Sequence, residues 1–228
     1  MRCGVVVFPG SNCDHDTYNL LKELGCDVQW LWHKEREINN IDVVFVPGGF
    51  SYGDYLRAGS IARFSPIVDE IKSFAGKGGY VVGICNGFQV LVESHMLPGA
   101  LMHNNSGYFI CQKQYLKVEN NSTVFTSGYD KGQVVNFPIA HGEGKFYADD
   151  EVIKELEDND SIIFRYSNKK GEVSGETNPN GSRHNIAGIC NKKGNILGLM
   201  PHPERSSSKL LGCEDGLPFF QSIMNSLK

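Results

Sequence analysis

Short apolar runs separated by polar and glycine-rich turns dominate the first half of the chain. Runs bounded by Gly, Pro or charged residues predict β-strands over residues 3–8, 28–31, 43–46 and 80–84. Apolar residues spaced by three or four predict a helix over residues 14–24, a second with apolar positions from 61 to 74, and a third directly after 84. In the first helix, Leu20, Leu21 and Leu24 are expected to face inward. The second helix is predicted from its apolar residues, which are Ile61, Phe64, Ile67, Val68, Ile71 and Phe74. This β-α-β alternation predicts a mostly parallel sheet with helices on both faces and ligand sites at the carboxyl ends of its strands.

The second half of the chain is richer in predicted strands. They fall near residues 115–118, 134–139, 162–164, 186–190 and 196–200, with a short helix near 152–156 and a last helix through Phe219, Phe220, Ile223, Met224 and Leu227. Residues 168–185 are poor in apolar side chains and predict a loop or hairpin connection. We find no internal repeat or linker, and therefore expect one α/β domain over residues 1–228.

Composition narrows the class of partner. The chain is 40% hydrophobic and carries a net charge of −4 without a block of either sign, so neither nucleic acid nor a membrane surface is an expected partner. The first apolar run is too short for a signal peptide, and none approaches the roughly 20 residues that span a bilayer. Seven cysteines without a C-x-x-C pair favour neither disulfides nor a zinc site. We expect a cytoplasmic protein without a bound metal.

One cysteine stands where a predicted strand ends and a helix begins. Residues 83–89 read Gly-Ile-Cys-Asn-Gly-Phe-Gln. A nucleophile on a strained strand-to-helix turn needs small residues two before and two after it, and Gly83 and Gly87 provide them. The helix N-terminus favours the negative charge of a thiolate at Cys85, and the backbone N–H of Asn86 can face a developing oxyanion. The alternative is a buried cysteine in an ordinary Gly-rich turn.

A distant segment supplies a general base and a group to orient it. Residues 198–204 read Gly-Leu-Met-Pro-His-Pro-Glu and follow a predicted strand. If that strand lies parallel to the strand before Cys85, His202 reaches the same sheet edge, and Glu204 can accept a hydrogen bond from its imidazole. The alternative is a surface histidine beside an unrelated carboxylate.

Two further turns offer substrate contacts. Residues 47–54 contain Gly48, Gly49 and Phe50, whose backbone N–H groups can approach a substrate and complete an oxyanion hole. Residues 140–144 contain His141 and Gly142, which could hold the remainder of the substrate. An ordinary Gly-rich turn and a structural histidine are the corresponding alternatives.

These motifs resemble those of the class I (triad-type) glutamine amidotransferases, and within that group the glutaminase subunit of phosphoribosylformylglycinamidine synthase. The resemblance rests on five blocks in order that nearly span the chain: residues 8–14, 47–59, 83–89, 140–144 and 198–205. It implies a flavodoxin-like open sheet, mostly parallel, with an added antiparallel segment in the second half. It also implies hydrolysis of glutamine by Cys85, His202 and Glu204, with Gln89 supporting the substrate pocket.

The same resemblance implies partners. Proteins of this kind work beside a large synthetase subunit and a small bridging subunit. The sequence contains no G-x-x-x-x-G-K-[ST] phosphate loop. We therefore expect no cofactor on this chain, with ATP and Mg on the partner synthetase. Residues 102–127 are the least familiar part of the chain.

Other functions share parts of this pattern. A cysteine hydrolase of the intracellular-peptidase or chaperone type has a similar sheet and elbow but usually lacks a His-Pro-Glu segment after a late strand. A non-catalytic interaction subunit would have no need of the Cys, His and Glu together. An amidotransferase for a different acceptor would keep the glutaminase chemistry, but the Phe-Ser-Tyr-Gly-Asp sequence after Gly49 speaks against it.

Overall fold

The computed structural model describes residues 1–227, which contain eleven strands and five α-helices. The strands are β1 (Arg2–Val7), β2 (Asp27–Trp32), β3 (Val43–Val46), β4 (Tyr80–Ile84), β5 (Ala100–Met102), β6 (Ile110–Val118), β7 (Val134–His141), β8 (Lys145–Tyr147), β9 (Ile162–Tyr166), β10 (Ile186–Cys190) and β11 (Ile196–Leu199). The helices are α1 (Asp14–Glu23), α2 (Pro66–Gly76), α3 (Asn86–Glu93), α4 (Asp150–Asp158) and α5 (Leu217–Ser226). All the strands and helices predicted from the sequence are present, and β5 and β8 are additional.

The main sheet has two halves of different strand direction. Its order is β2-β1-β3-β4-β11-β10-β9-β6-β7. The pairings from β2 to β11 are all parallel, and those from β11 to β7 are all antiparallel. The predicted fold class, a parallel sheet extended by antiparallel strands from the second half of the chain, is confirmed. The two short strands β5 and β8 form a separate antiparallel pair.

The parallel strands β1 and β3 are covered on both faces. All four residues of β3 are buried, and so are four of the six residues of β1. Strands covered on both faces read as continuous apolar runs, which is the pattern seen in the sequence. Helices α1, α2 and α3 pack against these strands, and Phe220 of α5 lies 6.1 Å from Phe45 of β3, measured between ring centroids.

The second predicted helix begins later than its apolar spacing suggested. It starts at Pro66, and Ala62–Phe64 form a separate 3₁₀ turn. Phe64 lies before the α-helix and is 73% exposed, so its predicted place in the second helix is wrong. Proline disfavours a helical conformation at the residue before it, and Ser65 is extended. Proline itself suits the first turn of a helix, which fixes the start at Pro66.

Candidate active site

Cys85 occupies a strained turn between β4 and α3. Its backbone has φ 51° and ψ −105°, whereas the residues on either side belong to a strand and a helix. A residue other than glycine rarely adopts such a positive φ, and keeps it only where the surrounding structure holds the backbone in place. The thiol is buried, and its Sγ lies 3.6 Å from the carbonyl oxygen of Ala140 on β7. The turn therefore brings the end of β4 next to the end of an antiparallel strand.

The glycines beside Cys85 are required by close packing. A Cβ atom at Gly87 would overlap the backbone carbonyl of Val46 on β3. A Cβ atom at Gly83 would lie 2.8 Å from the backbone carbonyl of Gly87. These contacts involve backbone atoms, which cannot rotate away as a side chain can. The spacing read from the sequence thus has a direct steric cause.

Strand register places His202 at the same sheet edge. Strands β4 and β11 are parallel neighbours, with Leu199 opposite Ile84. The chain leaves both strands at one edge, and the backbone N–H of His202 donates to the carbonyl of Pro138 on β7. His202 and Glu204 are both buried, and the imidazole Nδ1 lies 2.6 Å from the Glu204 carboxylate. Since a carboxylate can only accept, Nδ1–H donates this hydrogen bond.

Opposing effects act on the His202 imidazole. Burial lowers its pKa, but the negative charges of Glu204 and Cys85, together with the hydrogen bond to Glu204, raise it further than burial lowers it. The net result is a pKa raised from 6.5 to about 10, so the ring holds a proton at neutral pH. No residue among 1–227 provides a hydrogen-bond partner for its Nε2 within normal limits. That nitrogen is free to exchange a proton with a reacting group.

A cavity of about 150 Å³ opens beside Cys85. The residues that line it are Gly49, Phe50, Asp54, Cys85, Gln89, His103, Phe109, Ala140, His141, Gly142 and Glu143. The predicted substrate-contacting residues Gly49, Phe50, Gln89, His141 and Gly142 are all in this set. The two turns that the sequence singled out therefore meet Cys85 around one cavity.

Two predicted substrate residues lie behind the cavity instead. A Cβ at Gly48 would lie 2.8 Å from Cε1 of the His202 ring, so Gly48 makes room for that imidazole. The Asn86 side chain is buried and donates to Asp54 and to Gln89, while its oxygen accepts from the backbone N–H of Ser51. Asn86 is the first residue of α3, where backbone N–H groups have no intrahelical acceptor. Its backbone therefore remains a candidate oxyanion donor, while its side chain holds the neighbouring loop.

His141 contrasts with His202 in its surroundings. Its ring is buried, and Nδ1 lies 3.0 Å from the side-chain oxygen of Asn104. Burial lowers its pKa to about 4, and the positive charge of His202 lowers it as well. His141 is therefore neutral at pH 7. Within the part of the chain that the structure describes, its Nε2 has no hydrogen-bond partner.

Sequence reasoning assigned no role to Asp54, Glu143 or Asn104, all of which contribute to this site. Asp54 and Glu143 line the cavity, and burial raises the pKa of Asp54 to about 6, with a further contribution from Glu143. Both stand inside the motif blocks 47–59 and 140–144, which was the one available signal. Asn104 belongs to the unfamiliar stretch 102–127, and nothing in the sequence connects it with His141, which lies 37 residues later.

Neither a metal-binding cluster of side chains nor a helix able to span a membrane occurs among the described residues. The described residues contain no group of three or more His, Cys, Asp or Glu side chains that could hold a metal ion. Among residues 1–227, no helix combines the length and apolar character needed to cross a membrane.

Known proteins are similar to this chain in both sequence and fold. Residues 1–212 match the CobB/CobQ-like glutamine amidotransferase domain. The phosphoribosylformylglycinamidine synthase subunit PurQ of Salinibacter ruber is 53% identical over 225 residues, covering 98% of this chain and 96% of that protein. The corresponding subunit of Chlorobaculum parvum is 56% identical over 228 residues, covering 100% of this chain and 90% of that protein.

A solved structure extends the likeness to three dimensions. A chain in the structure of PurLQS from Thermotoga maritima superposes with a TM-score of 0.88 at 43% identity, covering 100% of this chain and 99% of that one. The likeness covers both the parallel and the antiparallel half of the main sheet. The chain therefore belongs to the CobB/CobQ-like glutamine amidotransferase family, in the branch of the phosphoribosylformylglycinamidine synthase PurQ subunits.

Proposed function

We propose that this chain is the glutaminase subunit of phosphoribosylformylglycinamidine synthase, and that Cys85, His202 and Glu204 are its catalytic triad. The proposal is carried by one observation. A strained cysteine that lines a cavity and a buried His-Glu pair follow the ends of adjacent parallel strands, at the same edge of the sheet. A nucleophile, a base and an orienting carboxylate in this order have the roles that thioester chemistry needs.

The first half of the reaction releases ammonia. The Cys85 thiolate attacks the side-chain amide carbon of glutamine and forms a C–S bond. His202 then gives its proton to the departing nitrogen, the C–N bond breaks, and ammonia leaves a γ-glutamyl thioester behind. A raised pKa suits His202 to this step because the ring carries the proton at neutral pH.

The second half regenerates the thiolate. His202, now neutral, takes a proton from water as the water oxygen attacks the thioester carbon. The C–S bond breaks, glutamate leaves, and the Cys85 thiolate and protonated His202 are restored. Glu204 keeps the Nδ1 proton of His202 in place throughout, so that Nε2 is always the nitrogen facing the reaction.

Backbone donors serve the oxyanion in both halves. We assign this role to the N–H groups of Gly49, which lines the cavity, and Asn86, at the start of α3. Gly49 has φ +136°, and a Cβ there would lie 2.8 Å from the backbone nitrogen of Asn12. Only glycine fits that conformation and that space. One such donor contributes about 2.7 to 4 kcal/mol to transition-state stabilisation.

The remaining cavity residues hold the substrate. Phe50, Gln89, His141 and Gly142 surround the space beside Cys85. The Gln89 side chain donates to the backbone carbonyl of Glu143, 2.6 Å away, and accepts from Asn86. Gln89 therefore supports the cavity wall by joining α3 to the turn after β7.

The released ammonia needs a consumer. By analogy with the PurQ relatives and the PurLQS structure, we propose a large synthetase subunit and a small bridging subunit as partners. That synthetase would bind ATP and Mg and convert formylglycinamide ribonucleotide to formylglycinamidine ribonucleotide. We further propose that the chain works as one domain, in the cytoplasm, without a cofactor of its own.

The rim of the cavity supports such an association. Phe50 and Phe109 line the cavity and are 44% and 53% exposed. A neighbouring groove that shares His103 and Glu143 with the cavity contains Leu56, which is 94% exposed. Leu56 also has φ +70°, a conformation rare for a bulky side chain. Exposed apolar side chains around a site that releases ammonia are suited to be covered by a partner.

The main alternative keeps the glutaminase and changes the acceptor. The PurQ relatives at 53% and 56% identity favour the purine acceptor over it. A hydrolase of the peptidase or chaperone type receives no support from the family match.

Substitution of Cys85 by alanine tests the proposed division of labour. In a complex reconstituted with the synthetase and bridging subunits, we expect glutamine-dependent synthesis to fall roughly 10⁴-fold or more, because the nucleophile is lost. Synthesis from added ammonium should remain within about twofold of wild type. The measurement is product formation with each nitrogen source.

Cys111 provides the matched control, since its thiol is exposed and lies outside the cavity. Cys111→Ala should retain both activities. Loss of the ammonium-dependent reaction in Cys85→Ala would contradict the assignment of glutaminase and synthetase to separate subunits. An unchanged glutamine-dependent rate would contradict the nucleophile itself. We also expect weak glutaminase activity for the isolated chain and stimulation by the partner.

A further inference from the structure

Besides His202 Nε2, a second buried nitrogen near the nucleophile, Nε2 of His141, lacks a hydrogen-bond partner among the described residues. His141 lines the same cavity as Cys85 and is 3% exposed, yet its Nε2 has no partner among the described residues. A buried polar atom without a partner costs free energy. Buried and less buried residues alternate along β7, and His141 lies on the buried face with Phe137 and Ile139. A purely structural side chain there would have no need of a second nitrogen.

Asn104 determines which nitrogen carries the hydrogen. Its Nδ2 donates to the carbonyl oxygens of Tyr108 and His141, each at 2.8 Å. Those two acceptors fix the orientation of the amide, so the opposite atom is the oxygen. That oxygen accepts from the Gly144 backbone N–H and lies 3.0 Å from Nδ1 of His141. Because an amide oxygen cannot donate, Nδ1 bears the hydrogen.

The remaining nitrogen is therefore an acceptor. Burial and the nearby positive charge of His202 lower the pKa of His141 to about 4, so the ring is neutral at pH 7. In a neutral imidazole with hydrogen on Nδ1, Nε2 carries only a lone pair. The cavity wall thus presents a hydrogen-bond acceptor that nothing in the described structure uses.

We infer that Asn104 is a positioning residue that holds His141 in this tautomer, and that His141 Nε2 accepts a hydrogen bond from the carboxamide N–H of glutamine. This inference rests on the proposed function and adds a basis for its specificity. Glutamine presents two N–H donors on its side chain. Glutamate, the product, presents only carboxylate oxygens.

Discrimination follows from that difference. A lone pair at Nε2 attracts an N–H group and repels a carboxylate oxygen, and sites that require a donor reject analogues that lack it. Asp54 and Glu143 line the same cavity and add no donor for a carboxylate when ionised. The neutral His141 would therefore favour binding of glutamine, from whose N–H group it accepts a hydrogen bond, and release of glutamate, whose carboxylate it repels.

The test compares substrate and product binding in two variants. In the reconstituted complex, the KM for glutamine and the inhibition constant of glutamate are measured for wild type, His141→Leu and Asn104→Asp. His141→Leu removes the acceptor, and we expect the KM for glutamine to rise about 10- to 100-fold while the inhibition constant of glutamate stays constant or falls. Asn104→Asp places a carboxylate beside Nδ1 and favours the doubly protonated ring. We expect glutamate to inhibit at least about tenfold more strongly relative to the glutamine KM.

Asn195 offers a control matched to Asn104. It is buried, and its Nδ2 also donates to two backbone carbonyls, those of Ala75 and Gly79. It precedes β11, at the opposite end of that strand from His202. Asn195→Asp therefore disturbs a buried amide in the same way without touching the cavity. Its ratio of glutamate inhibition constant to glutamine KM should equal that of wild type.

The tautomer of His141 can also be measured directly in the wild-type chain, which keeps the inference testable if the variants do not fold. Nitrogen-15 NMR of the wild-type chain, with the signals assigned by their loss in His141→Leu, should show hydrogen on Nδ1 and none on Nε2 at pH 7. Hydrogen on Nε2 would overturn the inference. Equal changes in glutamine and glutamate affinity in the two variants would overturn it as well, because a structural role affects both ligands alike. Absence of glutaminase activity in wild type would instead contradict the proposed function.

Discussion

Two buried histidines lie near the cavity beside Cys85, and their pKa values are shifted in opposite directions. The parallel wall is Cys85, which lines the cavity at the end of β4, together with His202 and Glu204 behind it, beyond the end of β11. The antiparallel wall comprises His141 and Gly142, at the end of β7. Burial lowers the pKa of both imidazoles, yet the pKa of His202 is raised above its usual value and that of His141 falls to about 4.

The partner of Nδ1 accounts for the difference. His202 donates to the carboxylate of Glu204, whereas His141 lies beside the neutral amide of Asn104. A negative partner stabilises the protonated ring against burial, and a neutral amide does not. His202 thus carries a proton that it can donate, and Nε2 of His141 carries a lone pair that can accept a hydrogen bond. Release of ammonia from an amide requires the proton, and the lone pair is the acceptor that we infer for the substrate N–H group.

The two walls differ in packing as well. On the parallel wall, Gly87 leaves no room for a Cβ because the Val46 carbonyl is in the way. On the antiparallel wall, a Cβ at Gly142 would find its nearest neighbour, Cδ2 of Phe109, at 3.8 Å. The nucleophile is therefore held in a crowded, strained turn, and the substrate side of the cavity has space.

The substitution Glu204→Gln removes the negative charge that gives the two histidines different pKa values. Among the variants that test this contrast, it has the largest expected effect. The amide oxygen of the substituted side chain can still accept from Nδ1, but the pKa of His202 should fall, so the ring loses its proton at lower pH. We expect glutaminase kcat in the complex to fall about 10²- to 10⁴-fold at pH 8. The loss should be smaller at pH 6, where the ring is still protonated. A kcat profile from pH 6 to pH 10 checks this.

The same variant has a signature in stability. In wild type, the His202 pKa rises from 6.5 unfolded to about 10 folded, so the folded state binds more protons between these values. The stabilising contribution is complete below pH 6.5 and is lost as pH rises through about 10. The free energy of unfolding of Glu204→Gln should depend less steeply on pH in that window. An equal slope would contradict the role assigned to Glu204.

Alanine substitutions at Gly87 and Gly142 test the packing contrast, with the next largest effect. Gly87→Ala forces a Cβ into a backbone carbonyl, and we expect a loss of about 2 to 3 kcal/mol in the free energy of unfolding. Gly142→Ala, the matched control on the other wall, should change it by less than about 0.5 kcal/mol. Urea denaturation measures both. Similar values for the two variants would show that the walls are not packed differently.

Asp54→Asn gives the smallest effect and sharpens the electrostatic side of the comparison. The pKa of Asp54 rises from 3.8 to about 6 on folding, so the folded state binds more protons between these values and wild type loses stability as pH rises through them. Asparagine avoids that penalty and can still accept from Asn86. After allowance for solvent screening, we expect Asp54→Asn to gain at most about 1 kcal/mol at pH 7 relative to pH 4. Thermal denaturation at both pH values measures it, and a gain at pH 4 alone would contradict the shift.

The fold followed from sequence where local signals agree with burial. Strands β3, β4 and β10 have the bounds that their apolar runs predicted, since a buried strand must be apolar throughout. The start of α2 was missed because apolar spacing continues through Ile61 and Phe64, while Pro66 sets the actual boundary. The short strands β5 and β8 were missed because three residues carry too little periodicity.

The sequence by itself determined the strand-to-helix turn at Cys85 and the His-Pro-Glu segment, because each depends on neighbours within a few residues. It also marked the glycines beside Cys85, but the fold decided that Val46 is the residue whose backbone approaches Gly87. Only the tertiary structure decided which of these groups meet. The parallel pairing of β4 with β11 brings together residues more than 100 positions apart, and the fold places Asn104 against His141. The charge on each histidine depends on burial and on a partner's charge. Those quantities exist only once the chain has folded.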